Sequence, residues 1–81
     1  MTRGEYRVGV TFNPSEDPQV AAIKEAAANL IDMIGGIPDG AAHGAAPERG
    51  RLKALAMTAI EEGAMWAVKA ATKKPAEGRA S

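Results

Sequence analysis

The chain has no cysteine among its 81 residues, so no disulfide can staple it and no thiolate can hold a metal. It has a single histidine, His43, set in a Gly/Ala-rich stretch, and no Cys/His/Asp group at ligand spacing. No metal and no cofactor are therefore expected. Ten Lys and Arg balance ten Asp and Glu. Duplex nucleic-acid binding draws on a surplus of cations that displaces counterions, so that partner is not expected, although a local basic pocket remains open. No apolar run approaches the roughly 20 residues of a membrane span, and the N-terminus lacks the apolar core of a secretory signal. The expectation is a soluble, cytoplasmic protein with no membrane partner. A single core of this size supplies only about 3–5 kcal/mol. With disulfides and metals set aside, self-association is the remaining means of stabilisation.

What is present reads as an all-α antiparallel two-helix hairpin with an extended N-terminal arm, assembling into a helical homo-oligomer. Tyr6, Val8, Val10 and Phe12 alternate with Arg7, Gly9 and Thr11, which suggests an extended arm over residues 1–17. The turn residues of Phe12-Asn13-Pro14-Ser15 break it. Asp17-Pro18 is a helix start, because Asp caps free N–H groups and Pro loses nothing at the first position. The first helix is expected over residues 18–34, with Val20, Ile23, Ala27, Leu30, Ile31 and Ile34 on its apolar stripe and Glu25, Asn29 and Asp32 facing water. Lys24 lies at the edge of that stripe, where its stem can cover apolar surface while the ammonium reaches a pocket. Gly35-Gly36 ends the helix, since glycine accepts a left-handed cap. A loop at 35–46, a second helix at 47–74 and a disordered tail at 75–81 complete the hairpin domain, 18–74. By rise the second helix spans about 40 Å and the first about 25 Å, so part of the second lacks an intramolecular partner.

The second helix carries two apolar strips. Leu52, Leu55, Ala56, Ala59, Ile60, Gly63, Trp66, Ala67 and Ala70 form the wider one, expected to cover the core; Met57, Ala64, Val68 and Ala71 form the other. One core needs one stripe, so the second predicts a further protein surface. Met57, Gly63, Ala64, Met65, Trp66 and Val68 are the candidate oligomer-interface residues. Gly63 costs about 1 kcal/mol in a helix relative to alanine. Its place among small residues suits a close helix–helix approach. Arg51, Thr58, Glu62 and Lys69 form a polar row beside the wide strip, either a solvated face or one wall of a pocket.

No catalytic residue is expected. Glu61 and Glu62 are adjacent, so their side chains diverge by about 100° on a helix and make a poor acid–base pair. Thr58 has no nearby base in the sequence. Gly35-Gly36 follows no strand and is a helix stop, not a phosphate loop.

The ordered set Phe12-Asn13-Pro14-Ser15, Val20-x-x-Ile23-Lys24 and Arg51-Leu-x-x-Leu-Ala-x-Thr58-x-Ile-Glu-x-x-x-Met65-Trp66-Ala-Val-Lys69-Ala resembles the helical-hairpin domain shared by phage anti-CBASS and anti-Thoeris nucleotide-sponge proteins. The resemblance spans residues 12–72. It implies a non-enzymatic protein that withholds immune-signalling nucleotides inside the infected cell. It implies a homo-hexamer with cyclic-dinucleotide pockets between protomers and, in some members, separate cyclic-trinucleotide pockets at three-fold axes. By the same resemblance Lys24 matches the helix-one lysine that contacts the phosphates, and Phe12 approximates the arm aromatic that stacks on a base. Thr58 matches a recurrent threonine. Lys69 replaces an arginine, keeping its charge without the bidentate fork. Phe12, Asn13, Lys24, Arg51, Thr58 and Lys69 are the candidate ligand-binding residues. Two other readings stand beside this one: a helical module that binds another protein through Met57, Met65 and Trp66, and a sponge for cyclic ADP-ribose-type signals.

Overall fold

The computed structural model describes residues 1–38, 40 and 46–75. His43, most of the loop expected at 35–46 and the tail beyond residue 75 lie outside the described residues. Three helices follow one another: α1 Arg3–Val8, α2 Pro18–Gly35 and α3 Ala46–Thr72. α2 and α3 form a helical hairpin, running over 18–35 and 46–72. No strand occurs among the described residues.

The N-terminal segment is helical, not an extended arm. Thr2 caps α1 through a reciprocal box: its hydroxyl accepts from the Glu5 N–H at 3.1 Å, and the Glu5 carboxylate accepts from the Thr2 N–H at 2.8 Å. This Thr-x-x-Glu spacing is a helix-start signal and outweighs the period-two pattern that runs through Tyr6 to Phe12. Gly9 closes α1 in the left-handed conformation, φ 72°. Gly4 lets α1 sit directly on α2: a Cβ there would lie 2.0 Å from the Ala28 carbonyl oxygen. The Gly4 N–H donates to Asp32 Oδ1 at 2.7 Å. Asp32, expected to face water, thus receives the N-terminal helix. The Thr2 hydroxyl, the Gly4 N–H and the Arg3 charge hold its carboxyl below the ordinary carboxylate range.

α2 starts as its sequence dictates, with the Asp17 carboxylate accepting from the Gln19 N–H at 2.8 Å and Pro18 behind it. It ends differently. Gly36 is right-handed, φ −78°, and Lys53 from α3 donates to the carbonyls of Gly35 at 3.2 Å and Ile37 at 2.6 Å. A tertiary cation at the negative end of the helix serves the free carbonyls that a left-handed cap would otherwise address.

The buried face of α2 is Val20, Lys24, Ala28 and Ile31, one position round the helix from the expected stripe. Ile23, Ala27 and Ile34 are half-buried, and Leu30 is exposed. On α3 the two strips exchange roles. Met57 and Ala64 are buried against α1 and α2, Met57 at 4% exposure, with Val68 and Ala71 half-buried. From the wide strip, Leu52, Leu55, Ala59, Gly63, Trp66 and Ala70 are exposed, Leu55 at 55% and Trp66 at 61%. α3 packs chiefly on α2 and meets α1 over a smaller contact, where Arg7 reaches Glu61 at 2.9 Å and Thr58 at 3.3 Å. The Met57–Ala64 side of α3 faces this interior. Met57 and Ala64, candidates for an intersubunit face, are therefore buried within the protomer's own interior. Gly63 has nothing of its own chain within 4 Å of where a Cβ would stand.

Candidate functional site

Two cavities meet at Lys24. The first, of about 360 Å³, lies between α1, α2 and α3 and has Arg7, Lys24, Glu61, Ala64, Met65 and Val68 among its walls. The second, of about 240 Å³, is bounded by the turn Phe12–Ser15, by Val20 and Lys24, and by Val68 and Thr72. Lys24 and Val68 line both.

Lys24 is not a side chain reaching outward from the edge of a stripe. It is 8% exposed. Its ammonium donates to the carbonyl of Gly9 at 3.1 Å and to that of Phe12. It also lies 5.4 Å from the centre of the Phe12 ring, within cation–π range. The lysine therefore holds the chain where it leaves α1. An ammonium has three donors, and two of them go to the turn.

The turn that Lys24 grips is built from its own polar groups. The Asn13 amide donates to the Asp17 carbonyl at 3.2 Å, and its oxygen accepts from the Ser15 hydroxyl at 2.8 Å. Glu16 takes a positive φ of 54° to lead into the Asp17 cap. This positions the Phe12 ring, 71% exposed, on the rim of the second cavity. A flat apolar ring beside a cation suits a nucleobase joined to a phosphate.

Arg7 and Glu61 were not among the residues expected at the site. Arg7 Nε donates to Glu61 Oε1 at 2.9 Å on the wall of the first cavity. The Thr2-x-x-Glu5 box was the signal for them. Once residues 3–8 are a helix, Arg3 and Arg7 share a face at i, i+4.

The structure brings Phe12, Asn13 and Lys24 together, and draws Thr58 to the edge of the site through Arg7 Nη2. It does not bring the other two there. Arg51 donates to the Glu48 carboxylate at 2.6 and 3.1 Å, an exposed pair two turns before Thr58 that raises the arginine pKa. Lys69 lies 5.5 Å from the Trp66 ring centre on the outer face, where Trp66 Nε1 donates to Glu62 at 3.4 Å. The polar row of α3 is thus split in the protomer: Arg51 pairs with Glu48, Thr58 meets Arg7, and Glu62 and Lys69 both meet Trp66. Gly63, Met65 and Trp66 are exposed, and Val68 is shared by the two cavities. Among the described residues no group of acidic residues and histidines could hold a metal ion, and no helix is long and apolar enough to cross a membrane.

The protomer is a small helical hairpin with a cation and an aromatic ring at its cavities. Residues 5–72 match the family model described as Acb2/Tad1, hairpin domain. The chain belongs to this family, that of the anti-CBASS and anti-Thoeris sponges. No curated protein and no solved structure matches it.

Proposed function

We propose that this protein binds cyclic oligonucleotide messengers of bacterial anti-phage defence and withholds them from their effectors without cleaving them. The observation that carries the reading is the meeting of two cavities at one buried lysine, with an exposed aromatic ring 5.4 Å from its ammonium, in a chain of the sponge family. Lys24 and Arg7 supply charge for phosphates, and Phe12 supplies a stacking face. The groups at the cavities bind and orient; no nucleophile with an adjacent base is among them.

The protomer is half of the device in this reading. Cyclic dinucleotides are two-fold ligands, and a site shared by two protomers offers two Lys24 and two Phe12. The exposed face Leu52, Leu55, Ala59, Gly63 and Trp66 supports self-association, toward a homo-hexamer, because small residues at 59 and 63 admit another helix closely. Lys69 and Arg51 lie on surfaces that assembly would cover or bring near a neighbour. A phage origin and action in the host cytoplasm belong to the same proposal.

Native mass spectrometry of the protein with cyclic di- and trinucleotides and cyclic ADP-ribose forms tests it. The expected result is a hexamer that holds cyclic dinucleotides and releases them intact on denaturation. Preference for a cyclic ADP-ribose form would move the ligand to the anti-Thoeris branch. Binding of none would leave a helical interaction module exposing Met65 and Trp66.

A further inference from the structure

On the other side of Met57 lies a third cavity, of about 470 Å³, whose walls are polar and carry three cations, Arg3 and Arg7 from α1 and Lys53 from α3. Among the described residues no carboxylate lines it. Gly35 and Gly50 form part of its boundary, and nothing lies within 4 Å of where a Cβ of Gly50 would stand. We infer that this cavity is a second, oxyanion-binding site, distinct from the Lys24 cavities, and that it takes the phosphoryl group of a phosphate monoester or free phosphate.

The convergence of the two arginines carries the inference. Arg3 Nη1 and Arg7 Nη1 both point at the sulfur of Met57, at 3.8 and 3.7 Å. A thioether is a weak, uncharged acceptor, and bringing two like charges to one neutral atom is unfavourable without an anion between them. Arg7 has an ion-pair partner on its far side, Glu61. Arg3 has no carboxylate at ion-pair distance among the described residues. Asp32 feels the Arg3 charge, but its hydrogen bonds come from the Thr2 hydroxyl and the Gly4 N–H. Arg3 therefore presents a planar fork of donors to the cavity, the geometry that matches phosphate oxygens in pairs. Lys53 stands on the opposite wall, where its ammonium holds the end of α2. Arg7 lines both this cavity and the first Lys24 cavity, so the two sites share one guanidinium.

The test titrates the full chain with inorganic phosphate, 5′-AMP and adenosine, followed by phosphorus NMR for the phosphorylated probes and by calorimetry for all three. Arg3→Gln and Phe12→Ala are compared with the parent. Arg3 is exposed and Phe12 lies outside this cavity, and circular dichroism checks that both variants keep their helices. Phosphate and AMP are expected to bind and adenosine not to. Arg3→Gln should weaken both by about 10- to 100-fold, the loss of one charge-assisted contact, and Phe12→Ala should leave the binding of inorganic phosphate, which has no base to stack, unchanged. Phosphate binding that survives Arg3→Gln, that disappears in Phe12→Ala, or that is absent in the parent overturns the assignment. The cyclic-nucleotide panel reads the Lys24 cavities separately, so failure of either site is seen on its own.

Discussion

Replacing Gly4 by alanine adds one methyl group at the point where α1 touches α2. That methyl would stand 2.0 Å from the Ala28 carbonyl oxygen, 2.8 Å from its carbon and 2.9 Å from Asp32 Oδ1. The obstruction is backbone in a regular helix, so no rotamer change relieves it. α1 has to lift by on the order of 1 Å to restore ordinary contact. Lifting lengthens the 2.7 Å bond from Gly4 to Asp32 and pulls Arg7 from Glu61, now at 2.9 Å. Overpacking of this kind costs about 1–3 kcal/mol. At roughly 4–8 °C per kcal/mol for a domain of this size, the melting temperature should fall by roughly 4–24 °C. Gly50→Ala is the matched control, because nothing stands near its Cβ position and alanine favours the helix by about 1 kcal/mol. Melting by circular dichroism separates the two. Nucleotide affinity should fall with stability in Gly4→Ala, since α1 carries Arg7 and leads into Phe12. A Gly4→Ala protein that melts with the parent and binds as tightly would refute the docking of α1 on α2.

Lys24→Met keeps the stem and removes the ammonium that holds the Gly9 and Phe12 carbonyls. Each lost charge-assisted bond is worth about 1.5–3 kcal/mol, so both stability in urea and cyclic-dinucleotide affinity should drop; a variant that loses affinity at full stability would show that the lysine serves the ligand alone. Asp32 has its folded pKa below the unfolded value, so its contribution is complete above the ordinary carboxylate range and is lost as pH falls through the lowered folded pKa. Urea melts of Asp32→Asn should therefore show lower stability than the parent at neutral pH and a gap that closes in acid; an undiminished gap in acid argues against the Asp32 cap. Gly63→Leu meets nothing within its own chain, so helix content should be retained while sedimentation reports a smaller particle; an unchanged particle would clear this face of any role in assembly.

Much of the hairpin is legible along the chain. Asp17-Pro18 starts α2 because a carboxylate and an imino acid suit the first helical turn. The apolar recurrence along α3 sets its length, and its two strips are visible on a helical wheel. Phe12 and Lys24 were recognisable as a pair through their resemblance to a family, and the structure places them 5.4 Å apart from ring centre to ammonium. The capping box that makes α1 was also present in Thr2-x-x-Glu5, though the alternation of Tyr6, Val8, Val10 and Phe12 competes with it.

Capping and periodicity act within one helix, so residue order alone determined where α2 and α3 run and how many apolar faces each has. Neither effect says which way a helix is turned about its axis. That depends on the neighbours: α3 lies mainly on α2, with Met57 and Ala64 inward and Leu55 and Trp66 outside, and α1, admitted by the missing side chain of Gly4, gives Asp32 a backbone N–H to hold. It also brought the Gly9 and Phe12 carbonyls over Lys24, which drew the ammonium inward, and set Arg7 beside Glu61 across 54 residues of chain. Tertiary structure decided these because each rests on contact between segments remote in sequence, where local propensity carries no information.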